Sequence, residues 1–366
     1  MTATPRQAGT LTAIDLFAGC GGLTSGLRAA GFDVLAAIEK DTDAAETYSA
    51  NHPDVALYEK DIRRVPARSF LEDLGLTKGS LDLVAGCPPC QGFTRLTERR
   101  RRKDPRNELI REYLRFVRVL RPRACMLENV PGLLTRGRRL FEDLCGGLEA
   151  AGYVINYDVL QLADYGVPQF RKRLVMLAGF GQRIEIPPAT HCNPSTDGGG
   201  HQRPWRTVRD AIAFLPRPPL RSRVIAGKAE AHYSWHIARD VAPAVRERLK
   251  HAIENGTGRA SLPPSLRLAC HERRPDGYYD VYGAIDWDSP SPAITSGCTN
   301  ASKGRFGHPS WPRPLTAREA ARLQSFPVSY KFKGSGVDSV ARQIGNALPK
   351  RFATVLARAV AAHLSC

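Results

Sequence analysis

The stretch that decides the fold lies at residues 81–93, which read LDLVAGCPPCQGF. The apolar run Leu81 to Ala85 predicts a buried strand. The Pro88-Pro89 step that follows fixes φ, removes backbone donors and pushes the preceding residue toward extended geometry. The ladder cannot continue past these prolines, so Cys90 is predicted to lie at the carboxyl end of the strand. Open α/β sheets bind ligands at that end, which makes Cys90 a candidate functional residue.

The composition indicates a basic protein that acts on a polyanion. The 366 residues carry a net charge of +17 and have a pI near 9.8, which favours nucleic acid as a partner over a merely solvated surface. There is no apolar run of 18 residues and no signal-peptide core before Gly9, so we expect a cytoplasmic protein with no membrane contact. The nine cysteines have no regular spacing, which predicts reduced thiols.

The N-terminal segment predicts a strand, a Gly-rich turn and a helix. Thr12 to Phe17 is the strand, residues 18–22 read AGCGG, and the helix follows. Glu39 ends the next strand about 20 residues after the turn, where dinucleotide-type folds place an acid on ribose hydroxyls. Turn and acid together predict an adenosyl ligand. Asp61 is a candidate for the adenine edge.

A basic run follows the candidate cysteine. Such a run is often only a solvated face, but after Cys90 it is well placed to close over a phosphate backbone. Its basic residues are Arg95, Arg99, Arg100, Arg101, Arg102, Lys103 and Arg106.

Two later stretches carry further candidates. A helix with apolar spacing from Ile110 to Leu120 ends at Arg121-Pro122, and a short apolar strand then places Glu128 at its end, where a carboxylate is costly unless it is paired or working. Gln169, Arg171 and Arg173 lead into a strand at 174–178 and, with period two, would share one face. The alternative for these three is an exposed basic edge.

The sequence pattern changes in the second half of the chain. From Pro187 to Arg305, Pro-Pro and Gly-rich stretches interrupt short segments with little periodicity, which predicts a separate loop-rich module. Order returns at a helix with Thr316 as N-cap and Glu319 at the capping-box position. An alanine-rich helix ends the sequence.

Taken together, these residues resemble the cytosine-C5 DNA methyltransferase family of prokaryotic restriction-modification type. The motifs occur in family order over nearly the whole chain. They are DLFAGCGG at 15–22, PCQ at 89–91, ENV at 128–130, QFRKR at 169–173, REAARLQ at 318–324 and GN at 345–346.

The resemblance implies one methyltransferase unit over 10–366. It has a Rossmann-like α/β large domain at 10–186, an inserted small, loop-rich target-recognition domain at 187–330, and a segment at 331–366 that returns to the large domain. It also implies S-adenosylmethionine as cofactor. The implied cofactor contacts are Phe17, Ala18, Gly19, Cys20, Gly21, Gly22, Leu23, Glu39, Lys40, Asp61, Ile62, Pro89, Asn346 and Ala347.

The chemistry of cytosine C5 supports these roles. C5 is a poor nucleophile, and thiolate addition at C6, for which Cys90 is the candidate, makes it enamine-like. Glu128 would protonate N3 and must keep a proton for that purpose. Arg171 would orient the base and Arg173 would brace the site. The base must leave the duplex stack to be reached, so double-stranded DNA is the expected partner.

DNA contacts are expected from the segment after the nucleophile. The candidates are Gln91, Arg95, Arg99, Arg100 and Arg106. A cognate endonuclease sharing the recognition site is a further expected partner, and a monomer is expected because the target is one base.

Several alternatives stay open at this point. Cys87 and Cys90 form a C-x-x-C that could serve redox chemistry or half a zinc site, although no metal is expected. His232, His236, Cys270 and His271 are a second zinc candidate. A dehydrogenase would explain the turn and Glu39 but not PCQ, and a non-catalytic DNA-binding protein would explain only the charge. A tRNA methyltransferase of the same family is the main alternative, although the Cys-Phe-Thr element of that branch is not found.

Overall fold

The structure, a computed structural model, describes residues 9–89, 105–194, 202–225, 233–256, 258–273 and 279–365. These residues group into two compact units. The first contains residues up to 165, 172–189 and 348 onward, and the second contains 166–171 and 190–347. The sequence placed the return to the large domain at 331, whereas the residues from there to 347 group with the second unit.

A seven-stranded mixed sheet forms the centre of the first unit. Its strands are β1 (Thr12–Leu16), β2 (Asp33–Glu39), β3 (Ala56–Glu59), β4 (Leu83–Gly86), β5 (Ala124–Asn129), β6 (Tyr153–Gln161) and β8 (Lys172–Phe180). Their order in the sheet is β3-β2-β1-β4-β5-β8-β6. The pairs from β3 to β5 are parallel, and β8 is antiparallel to both of its neighbours.

Helices accompany the strands, as expected for a Rossmann-like α/β fold. They are α1 (Gly22–Ala29), α2 (Thr42–Asn51), α3 (Ala67–Asp73), α4 (Leu109–Leu120), α5 (Arg138–Glu149) and α12 (Lys350–Ser365). Ile14, Leu16, Val84 and Leu127 face one core, where they meet α3, α4 and α5 side chains such as Phe116. The central strands β1 and β4 are buried along their length because both faces of the sheet are covered there.

The second unit is built from short elements. Its strands are β7 (Gln169–Phe170), β9 (His191–Cys192), β10 (Arg203–Pro204) and β11 (Ser291–Pro292). Its helices are α6 (Val208–Ile212), α7 (Arg221–Ile225), α8 (Pro243–Asn255), α9 (Ala269–Glu272), α10 (Ala317–Leu323) and α11 (Val337–Asn346). Apart from the 13-residue α8, which the sequence analysis missed, residues 187–305 have the expected loop-rich texture.

The strand predicted before residue 174 differs in the structure. The chain breaks at Arg171 between β7 and β8, so Gln169 and Arg171 belong to the second unit and Arg173 to the first. The predicted alternation holds, because Gln169 and Arg171 are buried and Arg173 is half-buried whereas Phe170 and Lys172 are exposed, but the stretch is divided between two strands. The cause is tertiary, because β7 pairs with β11 of the second unit whereas β8 pairs with β5 and β6.

None of the helices in the described ranges is both long and apolar enough to cross a bilayer.

Candidate active site

The strand order reverses between β1 and β4, and this switch point positions the site. β2 and β3 lie on one side of β1, whereas β4 and β5 lie on the other. Leu16 pairs with Gly86, so the two strands end side by side. Gly86 allows this approach, because a Cβ there would come within 2.9 Å of the Leu16 carbonyl oxygen. The Gly-rich turn and the Pro-Pro step thus leave the sheet at the place where open α/β folds bind ligands.

The turn after β1 has the backbone shape of a ligand cradle. Phe17, Gly19 and Gly21 have φ values of 63°, 54° and 86°. Such values cost little for glycine but strain Phe17, which is a non-glycine residue in the left-handed region. A Cβ added to Gly19 would meet no atom within 4 Å, so the turn borders open space.

Glu39 is tied to the turn through backbone hydrogen bonds. Its Oε2 accepts from the Gly19 N–H at 2.8 Å, and its Oε1 accepts from Lys40 at 2.9 Å and Asp41 at 2.8 Å. Burial raises the pKa of Glu39, whereas these three donors act to lower it. Oε2 accepts only one of these three hydrogen bonds and keeps a further lone pair, so the carboxylate can still accept from a ligand hydroxyl.

Asp61 lies at the start of a short 3₁₀ turn and is already paired. Its oxygens accept from Arg63 Nε at 2.9 Å and Nη2 at 2.6 Å, and Lys40 Nζ is 3.7 Å away. The hydrogen bonds from Arg63 hold the pKa of the Asp61 carboxyl well below its usual range. The carboxylate is therefore ionised and acts as an acceptor.

Asp15 is a buried carboxyl that sequence analysis did not select as a site residue. It is fully enclosed, and Thr24 Oγ1 donates to its Oδ2 at 2.6 Å. Tyr48 Oη lies 2.9 Å from the same hydroxyl, within hydrogen-bonding distance. Burial raises the pKa of Asp15 to about 7. The network ties β1 to α1 and α2 directly behind the Gly-rich turn.

Glu128 and Arg173 form an ion pair at the carboxyl end of β5. Arg173 Nε lies 2.7 Å from Glu128 Oε1, and the side chains are 17% and 11% exposed. Sequence analysis predicted that a strand-end carboxylate would be paired or working, and the structure confirms the pairing. Arg173 thus holds the Glu128 carboxyl group at a fixed place.

The turn that leads to the candidate nucleophile is anchored by Asn129. Its side-chain amide donates to the Pro88 carbonyl oxygen at 3.2 Å, and its Oδ1 accepts from the Val130 N–H at 2.8 Å. Asn129 is buried. The motif at 128–130 was the available signal for this residue, but no role was assigned to it beyond the resemblance.

Arg171 is held by backbone carbonyl groups of the second unit. It is buried in the second unit, and its Nη1 donates to the carbonyl oxygens of Ile294 at 2.8 Å and Gly345 at 3.1 Å. Gln324 donates to the Ile344 carbonyl oxygen nearby at 2.6 Å. These contacts fasten the backbone at the end of α11, where Asn346 is exposed.

Part of the predicted site lies outside the described residues. This applies to Cys90, Gln91, Arg95, Arg99 and Arg100, and to the side chain of Arg106. Within the first unit the structure brings together the turn at 17–22, Glu39, Pro89, Glu128 and Arg173 near the same edge of the sheet.

The metal alternatives find no support where the structure can test them. His236 contacts Thr316 Oγ1 and the Pro216 carbonyl oxygen, and His271 packs on Tyr282. Within the described ranges no group of three His, Cys, Asp or Glu side chains could hold a metal ion. His232 lies outside those ranges.

A Rossmann-like sheet with a Gly-rich turn after β1, a carboxylate at the end of β2 and a Glu–Arg pair at the same edge is an architecture suited to nucleotide-type ligands. Comparison with known sequences is more specific, since the model for C-5 cytosine-specific DNA methylases matches residues 11–362. The chain belongs to the C-5 cytosine-specific DNA methylase family. It is therefore a DNA (cytosine-5-)-methyltransferase.

Similar proteins cover nearly the whole chain. The type II methylase M.HgiDII of Herpetosiphon aurantiacus is 36% identical over 95% of this chain and 94% of its own. The type II methyltransferase M.AgeI of Thalassovita gelatinovora is 32% identical over 96% and 99%.

Solved structures agree on the fold. A prophage-encoded E. coli protein described as a DNA modification methyltransferase has a TM-score of 0.72 at 24% identity, covering 97% of this chain and all of its own. S. pombe Dnmt2 methyltransferase has a TM-score of 0.64 at 19% identity, with 97% and 100% coverage. At these identities the likeness concerns the fold alone. The family match favours DNA over tRNA as the substrate.

Proposed function

We propose that this methyltransferase modifies cytosine in a short duplex sequence through a covalent Cys90–C6 adduct, with S-adenosylmethionine as the methyl donor. The observation that carries the proposal is the buried Glu128–Arg173 pair on β5 and β8. It lies on the strand next to the one that leads into Cys90. An acid beside a nucleophile is what addition to a pyrimidine ring requires.

The residues of the first unit fit the cofactor. Gly19 leaves room for close approach, the turn leads into the N-terminus of α1, and Glu39 Oε2 has a lone pair for a ribose hydroxyl. Phe17 offers an aromatic face to a sulfonium. When bound, S-adenosylmethionine supplies an electrophilic methyl group. Asp61, Lys40 and the remaining predicted contacts, including Asn346 and Ala347, complete the proposed set.

Each protein group has one task in the reaction. The Cys90 thiolate bonds to C6 while Glu128 gives a proton to N3, which places electron density at C5. Once C5 carries the methyl group, a base removes the C5 proton. The S–C6 bond then breaks, and N3 returns its proton to Glu128. Arg173 keeps the Glu128 carboxyl in place throughout.

Arg171 is assigned a different part from the one the resemblance implied. Its Nη1 is committed to two backbone carbonyls, so we assign it to holding the end of α11. The target base leaves the stack before reaction. Gln91, the basic run that follows it, and residues 190–347 supply the DNA contacts.

The proposed setting is a restriction-modification system in the cytoplasm, with the enzyme acting as a monomer alongside an endonuclease that cuts the same unmethylated sequence. Several similar proteins carry type II names.

The test is base-resolved 5-methylcytosine sequencing of DNA from a methylation-free host that expresses the chain. Wild type should methylate one short sequence, and Cys90→Ala and Glu128→Gln should leave it unmodified. Cys145→Ala, which removes a thiol from α5, is the matched control and should methylate normally. Unmodified DNA from folded wild-type protein would overturn the proposal, as would full activity of Cys90→Ala.

A further inference from the structure

Cys87 is the residue beside Glu128 that the mechanism does not use. β4 ends at Gly86, which pairs with Leu127 of β5. Cys87 and Glu128 are the next residues after this pair. Side chains at matching positions of paired strands lie on the same face. This register places the Cys87 thiol beside the Glu128 carboxyl group, and Glu128 is among the groups that raise the pKa of Cys87.

The order of the strands in the sheet places Glu128 between two neighbouring side chains. β5 lies between β4 and β8, so Glu128 has Cys87 on one flank and Arg173 on the other. Arg173 holds Oε1 at 2.7 Å. A carboxyl held from one side only can still rotate about its last bond, and a second donor on the other flank removes that freedom.

The Cys87 backbone is fixed strongly enough for the thiol to act in this way. Its N–H donates to the Leu16 carbonyl oxygen at 3.3 Å. The next residue is Pro88, whose φ is fixed by its ring and whose carbonyl oxygen accepts from Asn129.

The thiol keeps its proton. Desolvation is the main cause that raises the pKa of Cys87 well above its ordinary value, and the nearby charges of Glu128 and Asp15 raise it further, while Arg173 acts in the opposite direction. Cys87 is therefore a neutral hydrogen-bond donor and not a second nucleophile.

We propose that Cys87 is a positioning residue that orients the Glu128 carboxyl for proton transfer to the target base, from the flank opposite Arg173. The proposal rests on the function proposed above. It distinguishes Cys87 from Cys90, since Cys87 acts only through Glu128 and forms no bond to substrate.

The first experiment measures the single-turnover rate of methyl transfer together with the KM values for DNA and cofactor. Cys87→Ala should lower the rate about 3- to 10-fold, the loss expected for one hydrogen bond, and leave both KM values unchanged. Cys87→Ser keeps a donor and should restore the rate to within about twofold of wild type. Cys145→Ala is the matched control, because it removes a thiol of similar exposure from α5.

The second experiment does not depend on activity. Unfolding by urea is measured for wild type, Cys87→Ala, Glu128→Gln and the double variant. A direct interaction makes the effects non-additive, so Cys87→Ala should cost less stability in the Glu128→Gln background. Wild-type rates for Cys87→Ala, or a loss that Cys87→Ser does not recover, would overturn the proposal, and additive stabilities would do so even in an inactive protein. Absence of methylation by wild type would instead overturn the proposed function.

Discussion

At the residue scale, the three carboxyls near the carboxyl end of the sheet are stabilised in three different ways. Glu39 accepts from three backbone N–H groups, Glu128 pairs with Arg173, and Asp15 receives one hydroxyl donor. In addition, Oδ1 of Asp15 is buried and has no hydrogen bond in the structure. Asp15 is therefore the carboxyl whose charge the fold tolerates least.

The stability of the protein should consequently depend on pH through Asp15. Below about pH 4 Asp15 is protonated in both the folded and the unfolded protein. Above it the unfolded chain ionises near the ordinary pKa of 3.8, whereas folded Asp15 keeps its proton up to a pKa of about 7. The free energy of unfolding then falls by about 1.4 kcal/mol per pH unit between these values and levels off above them.

Asp15→Asn should remove this slope. The difference in unfolding free energy between the variant and wild type, measured by urea titration from pH 4 to 8, should grow in favour of the variant up to about pH 7. All other groups titrate alike in both proteins. If the plots of unfolding free energy against pH were parallel for wild type and variant, the raised pKa of Asp15 would be contradicted.

Asn129 should matter for rate more than for stability. In Asn129→Ala the Pro88 carbonyl loses its buried donor, so the segment that carries Cys90 is no longer held. We expect the single-turnover rate to fall roughly 5- to 100-fold, which corresponds to about 1–3 kcal/mol. The matched control is Asn156→Ala, since Asn156 is a buried amide on β6 that donates to the Ile184 carbonyl oxygen at 3.0 Å. It should lose stability at an unchanged rate; equal rates in both variants would count against the anchor.

Site residues could be predicted from the sequence where the residue type and its position in a strand together indicate a function. A carboxylate at the end of an apolar strand signals a paired or working group, and Glu128 is paired. Asp15 and Asn129 gave no comparable signal, because Thr24, Tyr48 and Pro88 become their partners only after the chain has folded. The backbone partners of Arg171 could not be predicted for the same reason, since its acceptors lie more than a hundred residues away along the chain.

At the element scale, close packing of α1 on α12 depends on Gly26. A Cβ there would lie 2.3 Å from the Ala353 Cβ and 2.9 Å from the Ala353 and Thr354 backbone. Because backbone atoms must move, Gly26→Ala should cost about 1–3 kcal/mol of unfolding free energy by urea denaturation. Gly146→Ala on α5, where no atom lies within 4 Å, should be neutral or stabilising by up to about 1 kcal/mol. Equal changes in unfolding free energy for the two variants would show that α1 and α12 can move apart at no cost.

Helix α10 begins with the predicted capping box, which the structure confirms at Thr316 and Glu319. Its partner Arg313 was not predicted. Arg313 holds both Glu319 oxygens, at 2.8 and 2.6 Å, and the pair is buried.

Arg313→Gln would leave Glu319 charged and without this partner, which should cost about 3–5 kcal/mol in urea unfolding. The comparison variant is Arg209→Gln, which breaks an exposed ion pair with Asp288 and should cost at most about 1 kcal/mol. A small loss in both would mean that Glu319 takes up a proton instead.

Helices were predicted correctly where the residues that end them were recognised in the sequence. Helix α4 ends at Leu120 before Arg121-Pro122, as predicted. Helix α8 was missed although Pro243 is at its first position and Gly256 ends it with φ of 70°, both of which are ordinary helix boundaries. The many nearby prolines and glycines obscured them.

At the scale of the whole molecule, the charge of +17 should dominate binding to DNA. If about six phosphates are neutralised, the affinity for a duplex without the recognition sequence should fall roughly 1,000-fold between 50 and 200 mM salt. Fluorescence anisotropy with a labelled duplex measures this slope. A nearly flat dependence would show that the basic residues lie away from the DNA.

The boundaries between the units could be placed from sequence only approximately. Composition marks the change near 187, but the return at 348 is set by hydrogen bonds such as that from Gln324 to the Ile344 carbonyl oxygen. Contacts of this kind leave no pattern in a single sequence.

The pairing of α1 with α12 also fixes an order of events during translation. Residue 353 is added about 330 residues after residue 26, which at about 5–20 residues per second takes on the order of 15–70 s. Gly22 to Leu27 of α1, all buried in the folded protein, wait through that interval without the helix that covers them. The face of α1 that packs on α12 is thus exposed to solvent in the nascent chain, and the packing behind the Gly-rich turn is completed only late in synthesis.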